Sequence, residues 1–200
     1  MNRFKKYVLF TIGLALVIAM SGMAQDKPSI VVLDFRNKTN TGGYELGRGA
    51  SDMLTTALFK TKKFEVIERE RLNTLIKEQS LSATGIFDAG KAAQIGKLVG
   101  AQYIVIGSIT EYGHSRSSGG GGRFGGSSLT YSSTVDIRII NVSTGKIVFA
   151  DSGTGSVSSH TVRVFGHGGG ESYNEKNATQ SLRDAINDVC EKIKKEGLSE

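Results

Sequence analysis

The chain is poor in cysteine. Its 200 residues hold one, Cys190, which excludes an internal disulfide framework and leaves the fold to rely on its core. It is also poor in long apolar runs. The uncharged stretch Tyr7–Met20 covers about 14 residues, short of the roughly 20 that a spanning helix needs. Excess charge of one sign is small as well. Lys and Arg exceed Asp and Glu by 25 to 19, but Arg3, Lys5 and Lys6 precede the apolar run, and what remains is too little to point to nucleic acid. Histidine is scarce too: His114, His160 and His167 are not paired at helical spacing, so solvated loop residues are expected and no metal site. No Ser/His/Asp grouping stands out from the many serines, and Gly119–Gly126 has no Lys-Ser/Thr pair behind it for a phosphate loop. The expectation is a non-catalytic chain without cofactor, metal or nucleic acid.

What the N-terminus does have is an export signal. Basic residues, the apolar run and then the small residues Gly22 and Ala24 make a secretory leader over residues 1–24, removed ahead of Gln25. No cysteine follows the run, so a bacterial lipoprotein anchor is not expected. Residues 25–200 fit one domain with a proper core.

The first half alternates strand and helix. Ile30–Phe35 is a short β-branched run read as a buried strand. Leu46, Ala50, Met53, Leu54, Ala57 and Leu58 recur at helical spacing, and Phe64–Ile67 reads as the next strand. Leu72, Leu75 and Ile76 mark a second helix over 69–79. Asp88 is placed to cap a third, with Ala92, Ala93, Gly96 and Val99 on its packing face. Tyr103–Ile109 is strongly β-prone. The second half opens with Val135–Ile139, alternating apolar and polar, and a return strand Lys146–Ala150 makes a hairpin. Leu182, Ala185, Ile186, Val189, Cys190 and Ile193 form the stripe of a closing amphipathic helix, where Cys190 reads as a buried, inert thiol. The whole is an α/β fold with helices packed on a sheet.

Two glycine-rich stretches interrupt this pattern. Between Ile109 and Val135 the chain reads YGHSRSSGGGGRFGGSSLTYSST, and a second stretch lies around Gly166–Gly170. Each is either a solvated loop or a hairpin ordered in an oligomer or membrane. The residues themselves make poor membrane strands: from Arg123 to Tyr131 neither alternating face is an apolar band.

Four segments together, IVVLDFRNKT (Ile30–Thr39), GRGASDMLTTALFKTKKFEVIERERLNTLIKEQ (Gly47–Gln79), AAQIGKLVGAQYIVIGSITEY (Ala92–Tyr112) and VDIRIINVSTGKIV (Val135–Val148), resemble the family of the curli secretion channel, CsgG. The resemblance implies a mixed sheet covered by helices, an anticodon-binding-domain-like periplasmic domain, carrying two extended β-hairpins and a C-terminal helix. It implies hairpins at 112–134 and 155–177 that join a shared outer-membrane barrel in a homo-oligomer. Tyr112, Phe124, Tyr131 and Phe165 would then be the interface aromatics. The loop Asn37–Tyr44, with Asn37, Asn40 and Tyr44, would narrow the passage. The expected partners are secreted fibre subunits and accessory curli-type proteins. The alternative is a soluble periplasmic module that binds an envelope enzyme or structural partner without forming a pore.

Overall fold

The computed structural model describes residues 27–68, 70, 72, 74, 88–121, 124–164 and 172–199. The expected leader lies outside them, as does all of the expected helix over 69–79 except positions 70, 72 and 74. In chain order the elements are β1 (Ser29–Val32), β2 (Arg36–Asn37), α1 (Gly43–Thr61), β3 (Glu65–Val66), α2 (Ala89–Val99), β4 (Tyr103–Gly121), β5 (Phe124–Asn141), β6 (Ile147–Val164) and α3 (Glu175–Glu196).

The strands form one mixed sheet in the order β3-β1-β4-β5-β6, with β2 also paired to β4. β3, β1, β2 and β4 are parallel, which needs crossover connections, and α1 lies in the one from β2 to β3 and α2 in the one from β3 to β4. β4, β5 and β6 are antiparallel. The helices cover both faces of the sheet. α1 and α3 bury Ala50, Leu54, Leu58, Leu182, Ile186 and Val189 against Ile30, Val105, Ile137 and Ile139 on one face. α2 buries Ala92, Ile95 and Val99 against Val31, Ile104, Ile106 and Ile140 on the other. β-Branched residues dominate the buried strands because those strands are covered on both sides.

Local chemistry sets the helix ends. Asp88 accepts hydrogen bonds from the amides of Gly90 and Lys91, which satisfies donors that the first turn of α2 leaves open. Asn174 does the same for α3 through the amide of Lys176. Gly100 closes α2 in the left-handed region, at φ 73°.

The long strands outrun the helices. Beyond a bulge between Ile109 and Glu111, where β2 also ends, β4, β5 and β6 continue as a three-stranded antiparallel ribbon. Its pairing is unbroken to Gly121↔Phe124 and Phe124↔Val164. The bulge shifts the alternation of β4 by one residue, so Ile109 and Tyr112 lie on the same face as α3.

Candidate functional site

The ribbon is the unusual feature of this fold, and backbone pairing forms it. Glycine and serine are weak strand formers, yet every residue of β5 from Phe124 to Val135 has a partner on both sides. The first glycine-rich stretch is therefore a hairpin, β4 to β5. The second candidate hairpin takes a different form. Its outgoing half, Gly155 to Val164, is the third strand of the same ribbon, paired to β5. Of the return, residues 172–174 are not strand and Glu175–Asn177 already belong to α3. The cause is local: the polar sequence from Asn174 caps and starts a helix. Residues 165–171 lie outside the described set.

The two ribbon faces differ. On the face away from α3, hydroxyl groups succeed one another: Ser115 and Ser117 on β4; Ser128, Thr130, Ser132 and Thr134 on β5; Thr154, Ser156 and Ser158 on β6. Thr130 and Ser158 lie 2.9 Å apart across the strands. At the base of this face Glu111 accepts from Ser132 and from Thr134, the latter at 3.0 Å. Those two hydrogen bonds hold its carboxyl below the usual range.

The other face is anchored to α3 at its base. Leu129, Tyr131 and Ala178 form a small buried cluster with Tyr112 packed against it. The Tyr131 hydroxyl accepts a hydrogen bond from the Asn174 amide at 2.6 Å. His114, Tyr131 and Tyr173 stack with ring centroids 5.4 to 5.8 Å apart. Burial, reinforced by Tyr173 and Glu175, pushes the Tyr112 phenol up to about 12. Gly153 and Gly155 allow α3 to lie against β6: a side chain at either would overlap a carbonyl oxygen of the helix, that of Ala185 or Ser181. Sequence reasoning did not single out these glycines. Their spacing of two, which puts both on one strand face, was the available signal.

Tyr131 is thus a core residue with no exposed surface, and Tyr112 is half-buried beside it. Both rings, expected as membrane-interface aromatics, are placed in the contact with α3 in this fold. The Phe124 side chain and all of Phe165 lie outside the described set.

The loop after β2 is organised by Asn37. Its side-chain amide donates to the carbonyls of Thr41 and Gly43 at 2.6 and 2.9 Å, and its oxygen accepts from the Thr39 amide and hydroxyl at 2.9 and 2.6 Å. Asn37 therefore shapes the loop from within. Asn40 is exposed. Tyr44 is 54% exposed at the start of α1, and its hydroxyl donates to Asp34. The structure brings Asn37 and Tyr44 to the two ends of one short loop, beside the junction of body and ribbon. Cys190 is buried in α3, and burial pushes its thiol up. His160 is exposed on the ribbon, and His167 lies outside the described residues.

The family model for "Curli production assembly/transport component CsgG" matches residues 14–200. The chain belongs to the CsgG family. A protein of Neisseria meningitidis serogroup B (strain ATCC BAA-335 / MC58), named as a lipoprotein, NMB1126/NMB1164, is 32% identical over 160 residues, covering 76% of this chain and 67% of its own length. Among solved structures, lipoprotein GNA1162 of Neisseria meningitidis matches at TM-score 0.49 and 17% identity over 84% of this CsgG-family chain and 99% of its own. The C-terminal domain of LpoB from Escherichia coli matches at 0.45 and 22%, over 72% and 94%. The PelC dodecamer of Paraburkholderia phytofirmans matches at 0.44 and 16%, over 82% and 88%.

Proposed function

We propose that this CsgG-family protein is exported to the bacterial cell envelope and acts in curli-type fibre assembly or transport. It works there as a subunit of an oligomer whose ribbons join into the wall of a conduit. One observation carries the reading. Above Ile109 the ribbon has two open edges among the described residues, the outer sides of β4 and β6. Open edges of that length are templates for pairing with another chain. A β6 edge laid against the β4 edge of the next copy is a head-to-tail contact, which closes into a ring when the rotation allows. The hydroxyl face then supplies a wettable wall with the Glu111 carboxylate at its base, and the loop from Asn37 to Tyr44 lies at the base of the passage. Secreted fibre subunits are the cargo this family suggests. The relative named as a lipoprotein supports an envelope location. This chain's own cysteine is buried in α3, so an anchor of that kind is not part of the proposal.

A second reading, an envelope interaction module without a pore, is favoured by a separate observation. Among the described side chains of the free ribbon Val162 is the exposed large apolar one, and the rest of the exposed ribbon is mostly polar, whereas a membrane wall needs one apolar face. Fractionation of cells producing the protein separates the two. Detergent-requiring, heat-modifiable rings in the outer membrane support the conduit. A soluble monomer or dimer removes it and leaves the module.

A further inference from the structure

The end of the molecule opposite the ribbon has a surface of its own. Ser29, Glu65, Tyr103, Asn141 and Ile147 sit at one end of the sheet, in neighbouring register across β3, β1, β4, β5 and β6. α1, α2 and α3 also finish there, because α1 leads into β3, α2 leads into β4, and the Ser199 amide beyond α3 bonds to Val148 at 3.0 Å. The same end gathers lysines. Lys60, Lys62 and Lys63 close α1, and Lys97 closes α2. Lys194 and Lys195 close α3, and Lys63 reaches across to the Lys194 carbonyl. Lys27 and Lys146 come from the segments before β1 and β6. All eight are exposed, and among the described residues of these element ends only Glu65, Glu191 and Glu196 oppose them.

Lysine at a helix C-terminus complements the helix dipole, which accounts for part of this pattern. It does not account for Lys27 and Lys146, nor for the apolar side chains that share the pole. Phe59, Leu98 and Ile147 are 56%, 42% and 48% exposed there, on the last turn of α1, the last turn of α2 and the first residue of β6. The same pole holds a cleft of about 400 Å³ walled by Phe64, Tyr103 and Leu198 together with Lys27, Lys62 and Lys63. Exposed aromatic and aliphatic groups set among lysines are the pattern of a surface that rests on an anionic bilayer, with the ammonium groups at lipid phosphates and the apolar groups at the acyl boundary.

We infer that this pole docks on an anionic phospholipid surface. The ribbon then projects away from that surface, so this contact goes with the reading without a pore, and a ribbon wall inserted in the same bilayer would exclude it.

The test is flotation of the purified protein with vesicles of phosphatidylcholine plus phosphatidylglycerol, and with phosphatidylcholine alone. Binding is expected to the first only, and to weaken with salt as screening shortens the reach of the charges. A variant carrying Lys60→Gln, Lys97→Gln, Lys146→Gln and Lys195→Gln is expected to bind roughly 600-fold more weakly, at roughly five-fold per lysine. These side chains are exposed, and circular dichroism should show the fold unchanged. A second variant, Phe59→Ser with Leu98→Ser, should float normally at low salt and release from the vesicles at lower salt than the parent. Equal binding to neutral vesicles overturns the inference. So does undiminished binding by the lysine variant. Binding to soluble polyglutamate with no flotation on either vesicle also overturns it, in favour of an acidic polypeptide partner.

Discussion

The buried hydroxyls of Ser133 on β5 and Ser181 on α3 lie 2.7 Å apart. Ser181 also reaches the Ala178 carbonyl, one turn back in its own helix, at 2.8 Å. Its proton goes there, so Ser133 is the donor in the pair. This fixes an order of costs. Ser133→Ala removes one hydrogen bond and leaves Ser181 satisfied, for about 0.5–1.5 kcal/mol. Ser181→Ala strands a buried donor, for about 1–3 kcal/mol, of which the better helix propensity of alanine returns about 0.5 kcal/mol. Urea unfolding of both variants checks the order. If Ser133→Ala is clearly the worse, the donor assignment is wrong.

Gly155 and Gly113 make a matched pair on the same ribbon. A methyl group at Gly155 would overlap the Ser181 carbonyl, whereas nothing lies within 4 Å of one at Gly113. Gly155→Ala should lift α3 off the sheet and cost about 3 kcal/mol, the upper range for overpacking. Gly113→Ala should be neutral or stabilise by up to about 1 kcal/mol, since glycine weakens a strand by roughly that amount. The difference in urea midpoint between the two variants measures the contact between α3 and the ribbon.

The body of this fold was legible because its pattern is apolar. The alternation of Val135, Ile137 and Ile139, the stripe Leu182 to Ile193 and the cap at Asp88 each carry their own local signal, and each is found where that signal placed it. The ribbon was legible only as an alternative to a loop. Gly119, Gly120, Gly125 and Gly126 have no side chain with which to show a period, and the hydroxyl face is polar, as a loop would be. What makes this segment a strand is β6 pairing along the far side of β5, and no local window contains that information. The extension of β6 to Val164 was hidden for the same reason. The partners of Tyr131, Ala178 and Asn174, were not legible either, because they lie more than forty positions later in the chain.

Tyr112 gives a prediction in alkali. Its folded-state value is pushed up to about 12 from an ordinary 10.0, first by burial. A group raised in the folded state binds more protons there than in the unfolded chain. The stability it contributes is therefore complete below pH 10 and is lost as pH climbs toward 12. Unfolding free energy should fall across that window, and Tyr112→Phe should flatten the fall. Absorbance titration of tyrosinate should show the late-ionising Tyr112 in the parent and lose that contribution in the variant. An unchanged titration in Tyr112→Phe would assign the late group to another tyrosine.

The direction of the ribbon edges decides how copies can meet. β4 and β6 are each antiparallel to β5, so they run the same way. In a ring whose ribbons all point in one direction, the β6-to-β4 seam is parallel, which is slightly weaker per residue than an antiparallel pair. Two copies related by a two-fold axis can instead pair β6 with β6 in the antiparallel sense, and that contact stops at a dimer. Cysteine cross-linking distinguishes these arrangements, and the native Cys190, 4% exposed, should stay silent. Ser115, Thr130 and Ser158 lie in one register row. Ser158→Cys is therefore combined with Ser115→Cys or Ser117→Cys, sampling two positions because closure of a sheet staggers its register. A ring predicts no product from Ser158→Cys alone and a ladder of multimers from one of the double variants. A two-fold dimer predicts a single dimer band from Ser158→Cys by itself. Monomer throughout means that the open edges meet no second copy, and the conduit is then excluded.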